Sequence, residues 1–366
     1  MNPNHVTPAP LKYKPDWPQA AARLAATWER TNDDRPALDI RVRHGEAHWP
    51  AWPADNLERV YLDPQYASEH MLATLECTAF LGEAVPAGGF FMGGYALGCS
   101  DDVGFAPTTV WHPHMIRSVH DEIPWNTRPR DPWREKLDTV VLRLMAEAPG
   151  KFLVGGAMQL PLNDLLAVLR GTQDFLLELA QDLEAWRKRL IEVWPRWYDL
   201  LKHYLGLSLG QGQGCTWGWP GIWPPGELMP TQSDMSCMIS SEMFERYVMC
   251  DLDLLGERHD FVWYHLDGWD AVRHLPALLS RSYMKAIQYV SAAGQPPNGP
   301  HFMDLYRQVQ AAGRCLDLEA PWENVPFLIR RLRPQGLILR TWAPSLDAAN
   351  ELLAQAPGWT ASELDA

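Results

Sequence analysis

From Phe152 onward, the chain alternates short apolar segments with longer segments of helical periodicity. The clearest apolar segments are 152–156, 261–267, 315–319 and 336–341, and each is followed by a helical pattern. Strands that alternate with helices pair in parallel through right-handed crossovers. About eight such units are enough to close a barrel. We therefore predict an α/β fold, a TIM (β/α)8 barrel with N-terminal helical and loop extensions.

The remaining segments complete this prediction. Further strands are predicted at 36–40, 215–219 and 286–290, and helices at 16–31, 68–81, 161–170, 172–193, 194–207, 241–255, 271–279, 301–312, 321–332 and 345–354. Residues 84–135 are rich in Gly, Pro, Trp and His, which is typical of a segment that wraps a site. No repeat or low-complexity linker divides the chain, so we predict a single domain over 1–366, with 1–35 as an N-terminal extension. An open doubly wound sheet is the structural alternative, but no glycine-rich phosphate turn follows a predicted strand.

Charge and cysteine usage restrict the partners and the compartment. The net charge is −13 and no basic stripe is present, which argues against nucleic-acid binding. No segment approaches the roughly 20 apolar residues that span a bilayer. The six cysteines show no CxxC spacing, and the first residues lack the pattern of a signal peptide. We expect a cytoplasmic protein with neither a nucleic-acid nor a membrane partner.

The chain contains 18 tryptophans, and several lie in Pro- and Gly-rich segments. A rigid indole ring in such a segment is suited to line a concave ligand site. We predict that Trp217, Trp219 and Trp223 form one wall of the site. The alternative is that these rings only pack loops onto a large core.

In a barrel, functional side chains lie at the carboxyl ends of the strands and in the loops that follow. This rule selects further substrate-binding candidates: Gln159, Tyr264, Gln288 and Arg340. It also selects His265 and Asp267, which project to the same face of one strand because they are two residues apart. The pair could exchange protons or bind a divalent metal. Alternatively, Asp267 caps the following helix and His265 bonds to backbone.

Asp234 lies after the predicted strand 215–219 and before a helix that begins near Ser241. Its carboxyl group is a candidate proton donor or acceptor, and a turn or cap is the alternative role. His112 and His114 alternate, as two metal ligands on a strand would, but no third ligand is evident. No G-x-S-x-G, H-E-x-x-H or nucleotide-binding loop occurs in the sequence.

The segment from Met235 to Leu353 resembles the uroporphyrinogen decarboxylase superfamily, which includes corrinoid-dependent methyltransferases. The resemblance depends on the order of four short motifs: Ser241-Glu-Met-Phe244, His265-Leu-Asp-Gly268, Ala312-Gly313-Arg314 and Gly336-Leu337. Arg170 to Leu176 also resembles the helix that follows the third strand in that family. The first 150 residues match poorly.

This resemblance implies a TIM barrel with a funnel-shaped site and one of two chemistries. Porphyrinogen decarboxylases hold a polycarboxylate with arginines near the N-terminus, but the residues around Arg41 and Arg43 depart from that signature. Zinc-using methyltransferases hold the metal with His-x-Cys and a later Cys, whereas Asp267 occupies the first Cys position here and the last strand has no Cys. An oxygen-rich site for zinc or another divalent metal, formed by His265, Asp267 and Glu319, remains open.

We therefore expect a methyltransferase-like enzyme that acts on a small polar or aromatic-stacking molecule, with a corrinoid protein as a candidate partner. His265 and Asp267 would be an acid/base pair or metal ligands, while Asp234, Gln288 and Arg340 would orient the substrate. Two alternatives stay open. One is a lyase or decarboxylase acting on another carboxylate, and the other is a non-catalytic barrel that binds a sugar-like small molecule.

Overall fold

A seven-stranded, mostly parallel sheet forms the centre of the computed structural model, which describes residues 8–46, 48–89, 103–123, 132–155, 160–209, 221–259 and 261–364. The seven strands are β1 (Ala37–Arg43), β2 (Thr78–Gly82), β7 (Leu228–Thr231), β8 (Phe261–Asp267), β9 (Met284–Val290), β10 (Cys315–Glu319) and β11 (Leu337–Trp342). Their order across the sheet is β2-β1-β11-β10-β9-β8-β7. Only β2 runs antiparallel to its neighbour, so six strands share one direction.

Four shorter strands lie outside this sheet. They are β3 (Ala87–Gly89) and β6 (Leu153–Gly155), which pair in parallel, and β4 (Gly104–Phe105) and β5 (Val110–Trp111), which pair antiparallel. No pairing among the described residues joins these strands to the large sheet. The described strands therefore form an open sheet and two separate pairs.

Helices occupy most of the connections. They are α1 (Trp17–Trp28), α2 (Glu58–Leu62), α3 (Pro64–Glu76), α4 (Pro132–Glu147), α5 (Leu162–Arg170), α6 (Thr172–Gln181), α7 (Leu183–Leu209), α8 (Ser241–Met243), α9 (Met249–Gly256), α10 (Leu275–Leu279), α11 (Met303–Ala311), α12 (Val325–Arg331) and α13 (Leu346–Trp359). A π-helical stretch, Phe244–Val248, joins α8 to α9, and short 3-10 helices cover Asp234–Met238, Trp269–His274, Pro300–Phe302 and Trp322–Asn324. No described helix has both the length and the apolar character needed to cross a membrane.

Local sequence explains where several elements begin and end. Asp63, Ser240 and Ser345 cap α3, α8 and α13 by accepting backbone N–H bonds. Gly268 ends β8 with φ +76°, a conformation that favours glycine, and a Cβ there would lie 2.9 Å from Ala292 Cβ. The chain can therefore turn sharply after Asp267.

The prediction of an α/β fold is confirmed at the level of a mostly parallel sheet with many helices. β8 and β10 have the predicted bounds, and β1 and β11 begin within one residue of them. A closed eight-stranded barrel is not found in the described residues, and the single-domain expectation stays a prediction. The helix predicted over 68–81 is wrong at its end, because β-prone residues from Thr78 pair with β1 instead. The strand predicted at 215–219 lies outside the described residues.

The largest buried cluster packs helices α5, α6, α7 and α9 against the sheet. A second cluster, which joins α1 to β1, buries Trp17, Trp223 and Ile338. Parallel sheets are covered on both faces, so their strands are normally apolar. Polar side chains inside this sheet therefore require an explanation.

Candidate functional site

One face of the parallel sheet carries a row of polar side chains that crosses five strands. In the strand register, Asp39 on β1 pairs with Arg340 on β11, and Arg340 pairs with Glu319 on β10. Two residues earlier on β10, Asp317 pairs with Gln288 on β9, which in turn pairs with His265 on β8. The row consists of Asp39, Arg340, Glu319, Asp317, Gln288 and His265. Residues directly opposite each other in adjacent strands project to the same face, so these side chains are neighbours.

At the β10–β11 side of this row, buried acidic groups are paired with arginines. Arg340 donates from Nε and Nη2 to the two carboxylate oxygens of Asp317 at 2.8 and 2.6 Å, and the Trp263 indole donates to Asp317 Oδ2 at 2.9 Å. Asp317 is fully buried. Burial raises the pKa of Asp317, while Arg340 and the Trp263 N–H act in the opposite direction. Arg41 forms a similar two-bond pair with Asp39, both bonds at 2.9 Å.

At the β8–β9 boundary, His265 Nδ1 lies 2.5 Å from Gln288 Oε1. An amide oxygen only accepts, so Nδ1–H is the donor in this bond. The contact of Nδ1 is thus with a side chain and not with backbone. Asp267 is exposed at the end of β8, and Gly268, not Asp267, stands at the N-cap of the following short helix. His265 and Asp267 therefore lie at the carboxyl end of the sheet.

Asp234 begins the short helix that follows β7. Its residue surface reaches solvent, but protein atoms crowd its carboxyl group enough that desolvation raises the pKa of Asp234. The Asp267 carboxylate also raises it, whereas His265 and the 2.7 Å hydrogen bond from Gln232 Nε2 lower it. These influences place Asp234 within electrostatic reach of both members of the predicted pair. Asp234 therefore lies near enough to His265 and Asp267 for both to shift its pKa.

Two buried carboxyl groups that sequence reasoning missed lie behind Asp234. Asp164, on the first turn of α5, accepts from Asp234 N–H at 3.0 Å with both oxygens. Asp251 accepts from Asn163 N, Asn163 Nδ2 and Trp194 Nε1 at 3.1, 3.0 and 3.1 Å. Burial raises the pKa of both groups, and the neighbouring Asp234 carboxylate raises that of Asp164 further. The sequence feature that could have indicated these two groups is an acidic residue within each of two strongly apolar helical segments.

A cavity of about 420 Å³ opens at the carboxyl ends of β9, β10 and β11. It begins at Val290, which lies opposite Asp267 in the register of β8 and β9. Its further lining includes Ser291, Asn298, Glu319, Trp322, Thr341 and Trp342. The cavity therefore begins beside the strand that carries Asp267, and among the described residues Glu319 is the predicted site residue in its wall.

A second cavity, of about 360 Å³, lies on the other side of Asp234. Asp164, His112 and His114 line it together with Asp234. Burial lowers the pKa of His112 to about 4, so this ring is neutral at physiological pH. Asp234 thus lines the second cavity and also lies near His265 and Asp267 at the end of β8.

The remaining predicted residues have varied positions. Arg340 is 9% exposed and bonded to Asp317, and Tyr264 is buried on the opposite face of β8 from His265. Trp223 is 4% exposed, and its ring packs edge-on to Trp17 at 5.3 Å. Its surroundings fit the alternative stated above, a ring that packs a loop onto the core. Gln159, Trp217 and Trp219 lie outside the described residues.

The predicted oxygen-rich metal site requires three ligand side chains that lie close together. In the part of the chain that the structure describes, no three His, Cys, Asp or Glu side chains are gathered closely enough to hold a metal ion. His265, Asp267 and Glu319 therefore do not form such a set, and His265 Nδ1 is bonded to Gln288.

Comparison with known proteins adds no family assignment. No family model matches the chain, and no curated protein matches it.

Proposed function

We propose that this chain is an enzyme that removes a methyl group from a small neutral molecule, with Asp234 as the proton donor. The observation that carries the proposal is the position of Asp234 in the wall of the second cavity, where desolvation and the Asp267 carboxylate raise the pKa of its carboxyl group. A carboxylic acid with a raised pKa is better suited to general acid catalysis than one with its ordinary pKa.

In this proposal the substrate is a methyl ether. The bond between the ether oxygen and the methyl carbon breaks, and its electron pair stays on oxygen. Asp234 gives its proton to that oxygen and becomes a carboxylate, so an alcohol is released. The electron pair of the new bond to the methyl carbon comes from the acceptor. The acceptor is a second substrate, of the class that the resemblance implies: a corrinoid carried by a partner protein.

The other residues have supporting roles. His265, held by the hydrogen bond from Nδ1 to Gln288 Oε1, lies within electrostatic reach of Asp234 and would help to orient the substrate beside it. The Asp267 carboxylate helps Asp234 to retain its proton, because two neighbouring negative charges repel each other.

The proposal includes the finer fold. We infer that the described strands belong to a TIM barrel, because the first strand, β1, lies parallel to the last, β11. That pairing is expected where a ring of parallel strands closes. β3 and β6, which pair in parallel, would supply the second and third strands. Free thiols at Cys77, Cys237, Cys250 and Cys315 support the proposed cytoplasmic location.

The decarboxylase alternative has weaker support. Such an enzyme needs arginines that can pair with substrate carboxylates. Arg340 and Arg41 instead bond to Asp317 and Asp39. Arg43 lies over the Trp342 ring at 5.4 Å. The cavity with Trp322 and Trp342 in its wall is the observation that favours the non-catalytic alternative. That alternative predicts that the protein binds its ligand without converting it.

The proposal is tested by methyl transfer from a panel of methyl ethers, including methyl β-D-glucopyranoside, to free reduced cobalamin, followed by absorbance. We expect Asp234→Asn to lower kcat by about 10²- to 10⁴-fold, the usual contribution of a general acid. Asp267→Asn should lower it less, since it removes only a supporting charge. Asp270→Asn, at a carboxylate that is 75% exposed in the next turn, is the matched control and should have no effect. Equal activity of wild type and Asp234→Asn, or no transfer from any ether by wild type, would contradict the proposal.

A further inference from the structure

The second cavity, the one that Asp234 lines, has a largely apolar wall. Half of its described lining residues carry apolar side chains, among them Trp111, Leu160, Met235 and Met238. A polyhydroxy compound needs a polar partner for each hydroxyl that it buries, because an unbonded hydroxyl is costly to take out of water. This wall is therefore better suited to a molecule that is mostly apolar.

Two of these apolar side chains remain open to solvent. Trp111 is 67% exposed and Met238 is 56% exposed, although both are large and both line the cavity. An indole ring packs favourably against another aromatic ring, and a thioether sulfur against the edge of one. The volume of about 360 Å³ lies within the roughly 300–1,000 Å³ range of small-molecule pockets. A planar aromatic ring is therefore the group that this wall is best suited to hold.

The charged groups of the wall restrict the charge of the ligand. Asp164 and Asp234 line the cavity, and its described lining includes no lysine or arginine. A ligand carboxylate would leave water there without a lysine or arginine to pair with, which is costly. A ligand cation would stabilise the ionised form of Asp234 and so remove the proton that the proposed function requires. A neutral ligand avoids both effects.

The Asp234 carboxyl group is placed to meet one polar atom of such a ligand. Its Oδ1 accepts a hydrogen bond from Gln232 Nε2 at 2.7 Å, whereas Oδ2 makes no hydrogen bond among the described residues. Asp234 is an exposed residue in the cavity wall. A protonated carboxyl group donates one hydrogen bond, and an ether oxygen accepts one.

We propose that the second cavity binds a small, neutral, aromatic methyl ether and discriminates against ligands of the same shape that carry a charge. The ring packs against Trp111 and Met238, and the ether oxygen accepts a hydrogen bond from Asp234. The inference rests on the proposed function in excluding cations and in identifying this ligand as the methyl donor. Binding itself is a separate property and is measured without turnover.

The test is isothermal titration calorimetry of the full chain with p-methoxybenzyl alcohol, p-methoxybenzoate and p-methoxybenzylammonium at neutral pH and equal ionic strength. The three probes share the ring and the methyl ether and differ in charge. We expect the alcohol to bind, and each ion to bind at least about tenfold more weakly. Methyl β-D-glucopyranoside, a neutral methyl ether without an aromatic ring, should also bind at least about tenfold more weakly than the alcohol.

Trp111→Ala removes the indole ring from the wall and should weaken binding of the alcohol by about tenfold. Trp52→Ala is the matched control, because Trp52 is 50% exposed and is not in the described lining of the second cavity. This change should leave the affinity as in wild type.

Met238→Arg tests the charge of the wall by a gain of binding. It places a guanidinium at an exposed position of the wall, where it can pair with a ligand carboxylate. Binding of p-methoxybenzoate should become at least about tenfold tighter than in wild type, and binding of the alcohol should not improve. A variant that fails to fold cannot produce such a gain, so this result is independent of any loss of stability.

The outcomes separate this inference from the proposed function. No binding of the alcohol, an ion or the glucoside binding as tightly as the alcohol, or unchanged affinity in Trp111→Ala overturns the inference. Binding that follows the predicted order of probes and variants, with no methyl transfer in wild type, upholds the inference and overturns the proposed function. Methyl transfer from the glucoside but not from the aromatic alcohol upholds the proposed function and overturns the inference.

Discussion

The two sides of the central sheet treat their buried acids differently. At β1, β10 and β11, Asp39 and Asp317 each bond to an arginine through two hydrogen bonds. Beside β7 and β8, Asp164 and Asp251 accept hydrogen bonds from backbone, amide and indole N–H groups instead. A buried carboxylate without a neighbouring cation keeps its proton more readily. The first side therefore pairs its buried acids with cations, and the second side holds them with neutral donors.

This contrast divides structural from chemical roles along one sheet. The arginine pairs hold the strands whose ends form the cavity. The Asp164 carboxyl group holds the backbone of Asp234 in position, because it accepts a hydrogen bond from the Asp234 N–H. The same substitution, Asp to Asn, made on each side tests whether the two sides differ in their contribution to stability.

The largest expected difference is between Asp317→Asn and Asp164→Asn. Asp317→Asn removes the carboxylate that makes two hydrogen bonds with the buried Arg340 guanidinium, which should cost about 3–5 kcal/mol of unfolding free energy. Asp164→Asn keeps an oxygen for the Asp234 N–H and should change that free energy by about 1 kcal/mol or less. Urea unfolding of both variants and wild type measures the two values. Equal losses would end the distinction between the two sides.

A smaller effect is expected in the pH dependence of stability. Burial raises the pKa of Asp164, so its protonated form favours the folded state, and this stabilisation is complete below the unfolded pKa of about 3.9. It is lost as the pH rises toward the raised folded pKa, at no more than about 1.4 kcal/mol per pH unit. Asp164→Asn lacks this contribution and should gain stability relative to wild type between pH 4.5 and 7.

The readout is the difference in urea midpoints between Asp164→Asn and wild type across that range. Asp270→Asn, at an exposed carboxylate, serves as the control and should give a flat difference. A flat difference for Asp164→Asn as well would show that Asp164 is ionised in the folded protein throughout.

The smallest effect concerns the cation–π contact between Arg43 and Trp342 at the cavity edge. Arg43→Gln should lower the unfolding free energy by about 0.5–1 kcal/mol, the value of such contacts at exposed sites. Arg43→Lys keeps the positive charge and should lose less. A larger loss for Arg43→Lys than for Arg43→Gln, measured by thermal unfolding, would show that the charge over the ring is not what stabilises the contact.

The sequence predicted the parts that local pattern determines. The apolar run 261–267 is β8 as expected, because its composition and the glycine after it leave little choice. The spacing of His265 and Asp267 also gave their shared face. The contacts between strands could not be predicted, since the register that sets Gln288 beside His265 is a tertiary property.

Other features of the site were missed for the same reason. Asn163 and Asp164 read as an ordinary first turn of a helix, and only the packing of α5 against Asp251 and Asp234 shows that they are buried. Thr341 ends a predicted strand, but only the structure shows that its buried hydroxyl makes no hydrogen bond among the described residues.

The most direct test of the account is the pH profile of kcat for methyl transfer, compared between wild type and Asp234→Asn. If Asp234 donates the proton, wild-type kcat should be constant at low pH and should fall as the pH rises through the raised pKa of Asp234, above its usual value near 3.9. Asp234→Asn should show a low kcat without that fall. The same fall in Asp234→Asn would mean that another group supplies the proton and would contradict the account.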